Sequence, residues 1–301
     1  MQSHKLLSAF AVAGMATLSM PAQATVWTFT DSAPCTSGDI QSGAALGNTV
    51  TCTSDSILST ASAYSNTGGT TSTSNSSTAT IESAYLYTWS GLGVANRDGG
   101  NTSPDSGDAN DTAGGVPEHA TDNQQRNDMV LFNFKENNID VKVHLSGINI
   151  GWTSTASDPD YDADFTVLAY TGNSAPAPLS GNTFANLSGW SVIGHYNTSG
   201  TGDKVITYAS GMESTASSYW LVGAYNVNVA SGGTCREASG SSIGSGSTGC
   251  DDGDDYIKIA ALTGTKYTPP PPPGQQVPEP ATLGLLGLGL LGMSQLRRRR
   301  A

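Results

Sequence analysis

The chain has 301 residues and 13 Lys and Arg against 25 Asp and Glu, a net charge of −12 at neutral pH. Residues 25–276 are more acidic still, with 24 acids against 8 bases, because Lys5 and four arginines near the C-terminus lie outside them. Such a surface excludes nucleic acid as a partner, since that affinity comes from phosphates neutralised by Lys and Arg.

The first element is an address. Lys5 precedes an apolar segment over residues 6–18, and Ala22-Gln23-Ala24 after Pro21 is a small-x-small cleavage site. This is the layout of a secretory signal peptide over residues 1–24, handed to the Sec machinery and cut after Ala24. All four cysteines, Cys35, Cys52, Cys235 and Cys250, fall in the exported part. An even number in an oxidising compartment reads as two disulfides. Of the three possible pairings the spacing favours the local ones, Cys35–Cys52 and Cys235–Cys250. A zinc site is the rival reading, but no Cys-x-x-Cys pair or adjacent histidine supports it.

Residues 53–80 are dominated by Ser, Thr, Gly and Asn and read as an exposed low-complexity loop. Strand signals follow. In residues 81–89 the odd positions carry most of the bulky side chains, Ile81, Tyr85, Tyr87 and Trp89. A polar, acidic segment over 96–128 comes next, then an apolar run at 129–134. In residues 139–145, Ile139, Val141, Val143 and Leu145 face one way and Asp140, Lys142 and His144 the other, which predicts a half-buried strand. Residues 148–152 continue it past a bulge at Gly147. Further strands read at 164–171, 190–196, 204–209, 219–229 and 256–262, and no helical period is visible between the two ends. The pattern predicts an all-β domain over residues 25–267, an antiparallel sandwich or jelly roll with long Gly/Ser/Thr/Asp-rich loops.

Residues 268–276 contain a run of prolines and form an extended spacer of about 3 Å per residue. Beyond them stand Pro278-Glu279-Pro280, an apolar run, and Arg297, Arg298, Arg299 and Arg300. The 16 residues between Pro280 and Arg297 would make a helix of about 24 Å, short of the about 30 Å of a bilayer core. The arginines would remain cytoplasmic and stop translocation. This three-part tail, residues 277–301, resembles the PEP-CTERM sorting signal of exported proteins in Gram-negative bacteria that make exopolysaccharide. The resemblance implies that an exosortase, an integral-membrane cysteine enzyme, recognises Pro278, Glu279 and Pro280 and removes the tail. The protein would be anchored transiently in the inner membrane and then reach the cell surface or the extracellular matrix.

Sites for chemistry are sparse. Asp158, Asp160, Asp162 and Asp164 alternate before a strand, so extended backbone would set four carboxylates on one side. Hard oxygen ligands in that array suit calcium, although position six is Ala163 and position twelve Ala169, unlike an EF-hand. A second acidic run spans 251–255, and Asp122 and Asp128 flank a strand start. Gly240-Ser241-Ser242-Ile243-Gly244 matches a nucleophile-elbow spacing, yet no strand precedes it and no helix follows. His144 and His195 read as surface residues on polar strand faces, and no pair of aspartates stands out as a glycosidase site. Of the tryptophans, Trp89, Trp190 and Trp220 sit in apolar patterns that suit a core, whereas Trp152 at a strand end is the candidate for stacking on a sugar. The reading is a structural or adhesive surface protein, without catalysis, in an exopolysaccharide or biofilm setting. A carbohydrate-binding module is the alternative and a secreted hydrolase the third.

Overall fold

The computed structural model describes residues 23–30, 40–41, 45–67, 78–97, 120–123, 126–154, 163–198, 200–229, 235–237, 250 and 255–269. Gln23–Tyr267 is one compact unit. The signal peptide, the sorting motif and the arginines lie outside the described residues, as do Cys35 and Asp158, Asp160 and Asp162.

In chain order the strands are β1 (Thr25–Thr28), β2 (Ile40–Gln41), β3 (Ala45–Leu46), β4 (Thr49–Ser54), β5 (Ile57–Thr67) and β6 (Thr80–Ser83). They continue as β7 (Tyr85–Thr88), β8 (Leu92–Ala95), β9 (Thr121–Asp122), β10 (Asp128–Glu136), β11 (Ile139–Asp140) and β12 (Val143–Thr153). The last are β13 (Phe165–Tyr170), β14 (Trp190–Asn197), β15 (Gly202–Val205), β16 (Tyr219–Ala224), β17 (Cys235–Glu237) and β18 (Tyr256–Lys266). Among the described residues the sole helix is a 3₁₀ turn, Phe184–Asn186. The fold is all-β, as its alternating pattern predicts.

Two sheets form. The larger has nine strands with β17-β14-β13-β16-β10-β5-β4 in order, and β6 and β11 at its margins. The smaller has seven, in the order β15-β12-β18-β8-β7, with β1 and β9 also paired to β18. Pairing is antiparallel except between β14 and β17. One core lies between the sheets, with Phe132, Phe134, Trp220 and Phe165 from the larger and Leu145, Ile150, Ile259 and Leu262 from the smaller.

The Ser/Thr tract needs correcting. Residues 57–67 are not loop but the long strand β5. Its inward positions Ser59, Ala61 and Ala63 are buried, and small side chains are what the neighbouring strand requires. Phe134 stands opposite Ser59 and Phe132 opposite Ala61. Their rings then meet Trp27 and Phe29 of the opposite sheet at centroid distances of 4.6 and 5.4 Å. Residues 68–77 lie outside the described set.

Two further expectations change. The run at 81–89 is two strands in different sheets, broken at Ala84, where the chain crosses over. Asn48 Nδ2 fixes that crossing by donating to the carbonyls of Ala63 and Ala84 at 2.7 and 2.8 Å. The alternation at 139–145 is also interrupted. A turn at Asn137 and Asn138, both at positive φ, leads into the short β11, and Ile139 is 69 % exposed. A second two-residue turn at Asp55 and Ser56, again at positive φ, joins β4 to β5. Positive φ at both central positions is the hairpin geometry that matches strand twist. The bulge expected near Gly147 is present as a register shift between Leu145 and Gly147.

Candidate functional site

The domain has two unlike poles. At one, Thr25 pairs with Gly264 and Tyr267 N donates to the Lys142 carbonyl, so the domain's two chain ends leave together. At the other, β8 and β12 end while β9, β13 and β18 begin. Residues 98–119, 155–162 and 251–254, which carry eleven of the chain's 25 acidic residues, lie outside the described residues.

A buried polar layer seals that second pole. Asp122, Asp128, Asp164 and Asp255 are each at most 2 % exposed, alongside Asn123, Asn226 and Thr198. Buried carboxylates need donors, and the backbone supplies them. Asp255 Oδ1 accepts from Asp164 N at 2.8 Å and its Oδ2 from Asn123 Nδ2 at 2.6 Å. Asn123 Nδ2 also donates to the Tyr225 carbonyl at 3.0 Å, tying the two sheets together. Asp164 Oδ1 accepts from Thr198 N at 2.7 Å. Asp122 N donates to Asp128 Oδ2 at 3.5 Å. The carboxylates of Asp128, Asp164 and Asp255 thus act as interior crosslinks.

The cysteines follow the local pairing where it can be seen. Cys235 and Cys250 form a disulfide with Cα atoms 5.6 Å apart, stapling the edge strand β17 to the start of the segment before β18. Cys52 is also disulfide-bonded, and its pairing lies outside the described residues. The Asp164 carboxylate and the sulfurs of Cys235 and Cys250 lie within 4.8 Å of one another. The geometry resembles a metal triad, but sulfurs joined to each other offer no thiolate to a cation. Of the four carboxylates expected to share calcium, Asp164 alone is described, and it is buried and engaged by Thr198.

The histidines are not both surface residues. His195 is 4 % exposed: its Nδ1 lies 2.8 Å from Thr166 Oγ1, and the Tyr225 ring meets it edge-on. Its strand face is covered by the chain after β16, which a local polar pattern does not reveal. His144 is half-buried, stacked on Tyr208, with Nδ1 2.9 Å from the Thr215 carbonyl. The Gly240–Gly244 spacing lies outside the described residues.

The tryptophans divide differently from their sequence patterns. Trp27 and Trp220 are fully buried in the core. Trp89 and Trp152 are half-buried on the outer face of the smaller sheet, where the Lys258 ammonium lies 4.5 and 4.9 Å from their ring centres. Glycine permits this contact: a Cβ at Gly151 would collide with the Ser90 carbonyl, so the turn after β7 can lie flat on β12. Trp190 is half-buried on the outer face of the larger sheet, not in its core. The apolar partners that made 190–196 look like a core strand sit in a second, smaller cluster on that outer face. There Leu179 and Phe184 of the strap 171–189 cover Leu168, Leu221 and Met129.

Beside Trp190 the Tyr170 ring stands edge to face, with centroids 5.5 Å apart, and Tyr219 follows at 6.3 Å. Tyr219 Oη donates to Asp140 Oδ2 at 2.6 Å. Partial burial, then the Asp140 hydrogen bond and charge, push the Tyr219 phenol up to about 12.

Taken together, these features define an all-β domain whose two ends leave one pole, followed by a proline-rich spacer and a three-part tail. Residues 276–300 match the PEP-CTERM protein-sorting motif, and no curated protein sequence or solved structure matches the chain. The match covers the tail alone and supports an exosortase substrate, because such a motif implies export, processing at the membrane and sorting to the surface. The match begins only after the domain has ended, so the domain's own role has to come from its residues.

Proposed function

We propose that the exported domain is a non-catalytic structural or adhesive component of the cell surface, acting in the exopolysaccharide or biofilm matrix. The observation that carries this reading is the sorting tail at residues 276–300, joined through a proline spacer to a disulfide-stapled all-β domain. Backbone N–H groups donate to the buried Asp164 and Asp255 carboxylates, which supports a cohesive role for them. Replacing Pro278, Glu279 and Pro280 with alanine should leave the protein membrane-bound and uncut in a host that carries an exosortase. Surface release of that variant at the parental level would overturn the sorting role.

Carbohydrate binding is the second reading, favoured by half-buried aromatic side chains on the outer faces of both sheets. Calcium is a further proposal for Asp158, Asp160 and Asp162 with Asp164. A bound cation would raise the melting temperature by mass action. Millimolar calcium should therefore raise it, and Asp160→Asn with Asp162→Asn should remove the rise. No shift in the parent would return these residues to plain surface charge.

A further inference from the structure

The outer face of the larger sheet is only partly covered. The strap 171–189 covers Leu168, Leu221 and Met129, and beside it one rung is half-exposed among the described residues. Through the register that rung reads Trp190 opposite Tyr170, then Tyr219 opposite Asn133, Asn133 opposite Thr60 and Thr60 opposite Thr51. It crosses β14, β13, β16, β10, β5 and β4, and directly opposed residues share a face. All six side chains are half-buried, and none of them belongs to the core between the sheets.

The rung is chemically graded. Three aromatic rings occupy one end, and hydroxyl and amide groups the other. Polar groups fringe the aromatic end. Asp140 accepts from Tyr219 Oη at 2.6 Å and lies 3.3 Å from Asn133 Nδ2, while Thr171 Oγ1 and Ser191 Oγ meet at 3.1 Å. The rings are held in advance. A Cβ at Gly172 or at Gly189 would strike the Tyr170 ring, so the two ends of the strap rest on it through glycine. Thr171 N donates to the Gly189 carbonyl at 2.8 Å and closes that clamp. Rings fixed before binding lose little freedom when a ligand arrives.

We propose that this rung is a binding face for a neutral oligosaccharide, with Trp190, Tyr170 and Tyr219 stacking on the C–H faces of pyranose rings and Asp140, Asn133 and Ser191 bonding their hydroxyls. The ligand class follows from charge and shape. Half-buried rings set edge to face, beside small polar groups, suit a molecule that is apolar on its ring faces and hydroxylated at its edges. The net charge of −12 and the exposed Asp140 carboxylate repel a polyanion, which selects neutral sugars over uronate polymers. This assignment rests on the carbohydrate reading above and moves it from Trp152, on the smaller sheet, to Trp190.

The test titrates the purified full-length protein with oligomers of β-1,4-glucan, β-1,3-glucan and mannan, and with alginate as the anionic control. Tryptophan fluorescence and calorimetry report binding, and the melting temperature and sedimentation state of each variant are recorded. At least one neutral oligomer should bind, with alginate weaker. Trp190→Ala should weaken binding by at least about tenfold, as loss of a central aromatic anchor does. Tyr219→Ser, a second variant in case Trp190→Ala folds poorly, should also weaken it, and Trp152→Ala should leave it unchanged. Loss in Trp152→Ala with retention in Trp190→Ala overturns this site and leaves the carbohydrate reading standing. No neutral oligomer bound by the parent overturns both. A parental dimer that Trp190→Ala dissociates shows that a second copy occupies the face, and this too overturns the proposal.

Discussion

The two sheets enclose one core but are joined through different hubs. In the larger, the hairpins β4-β5 and β13-β14 are connected by long-range pairings of β10 with β5 and β16 and of β16 with β13. In the smaller, β18 is the hub: it pairs with β12, β1, β8 and β9, and β1 has no other strand partner. The first strand of the exported domain thus pairs only with its last, and the smaller sheet cannot close until residue 266 is available. The difference separates two tasks. The smaller sheet gathers both ends of the domain at one pole, and the larger presents a half-exposed outer face of side chains.

The sharpest way to break this comparison is to contrast two tryptophans of the larger sheet. Trp220 is fully buried, and its Nε1 donates to the Ser217 carbonyl at 3.0 Å. Trp220→Ala should cost about 3–5 kcal/mol in denaturant unfolding. Trp190→Ala, on the half-open face, should cost about 1–2 kcal/mol. Equal losses would mean that the outer face is as structural as the core, which would leave it no surplus for binding.

The disulfide comes next. Cys235 and Cys250 are 15 residues apart, and removing a crosslink of that length should cost about 3 kcal/mol on the chain-entropy account. Replacing both cysteines with alanine should lower the unfolding midpoint accordingly. An unchanged midpoint would show that β17 is not cooperative with the rest of the larger sheet.

The smallest effect is one of pH. Tyr219 ionises at about 12 in the folded protein against an ordinary value of 10.0. A folded value above the unfolded one means that stability is fully present below pH 10 and falls as pH rises toward 12. Tyr219→Phe should flatten part of that decline in melting temperature. Part will remain, because burial also raises Tyr64 and Tyr208. A variant whose alkaline decline matches the parent's would show that the Asp140 contact leaves stability untouched.

How much of this was legible in the sequence depended on whether a signal was local. The tail could be read because motif, apolar run and arginines are contiguous and each has its own physical role. Strands β13, β14 and β18 could be read from alternation of large residues. Strand β5 could not, because Ser59, Ala61 and Ala63 are small, and the reason they are small is Phe132 and Phe134 on another strand. Ile139 misled because the apolar alternation runs on through residues 141–142, where β11 has ended and β12 has not begun. His195 and Trp190 differ from their sequence patterns for one shared reason. What covers a strand's outer face comes from distant chain, here the strap 171–189 and residues 225–229. Asn123 shows the limit well, since its amide bridges carbonyl and carboxylate groups 102 and 132 residues away.

The most direct test of the account is the mass of the C-terminal peptide on protein released from the surface of a host carrying an exosortase. The tail should be cut near Pro278-Glu279-Pro280, so that the peptide ends there and lacks residues 297–301. Released protein that still ends in Arg297, Arg298, Arg299, Arg300 and Ala301 would contradict exosortase-dependent sorting.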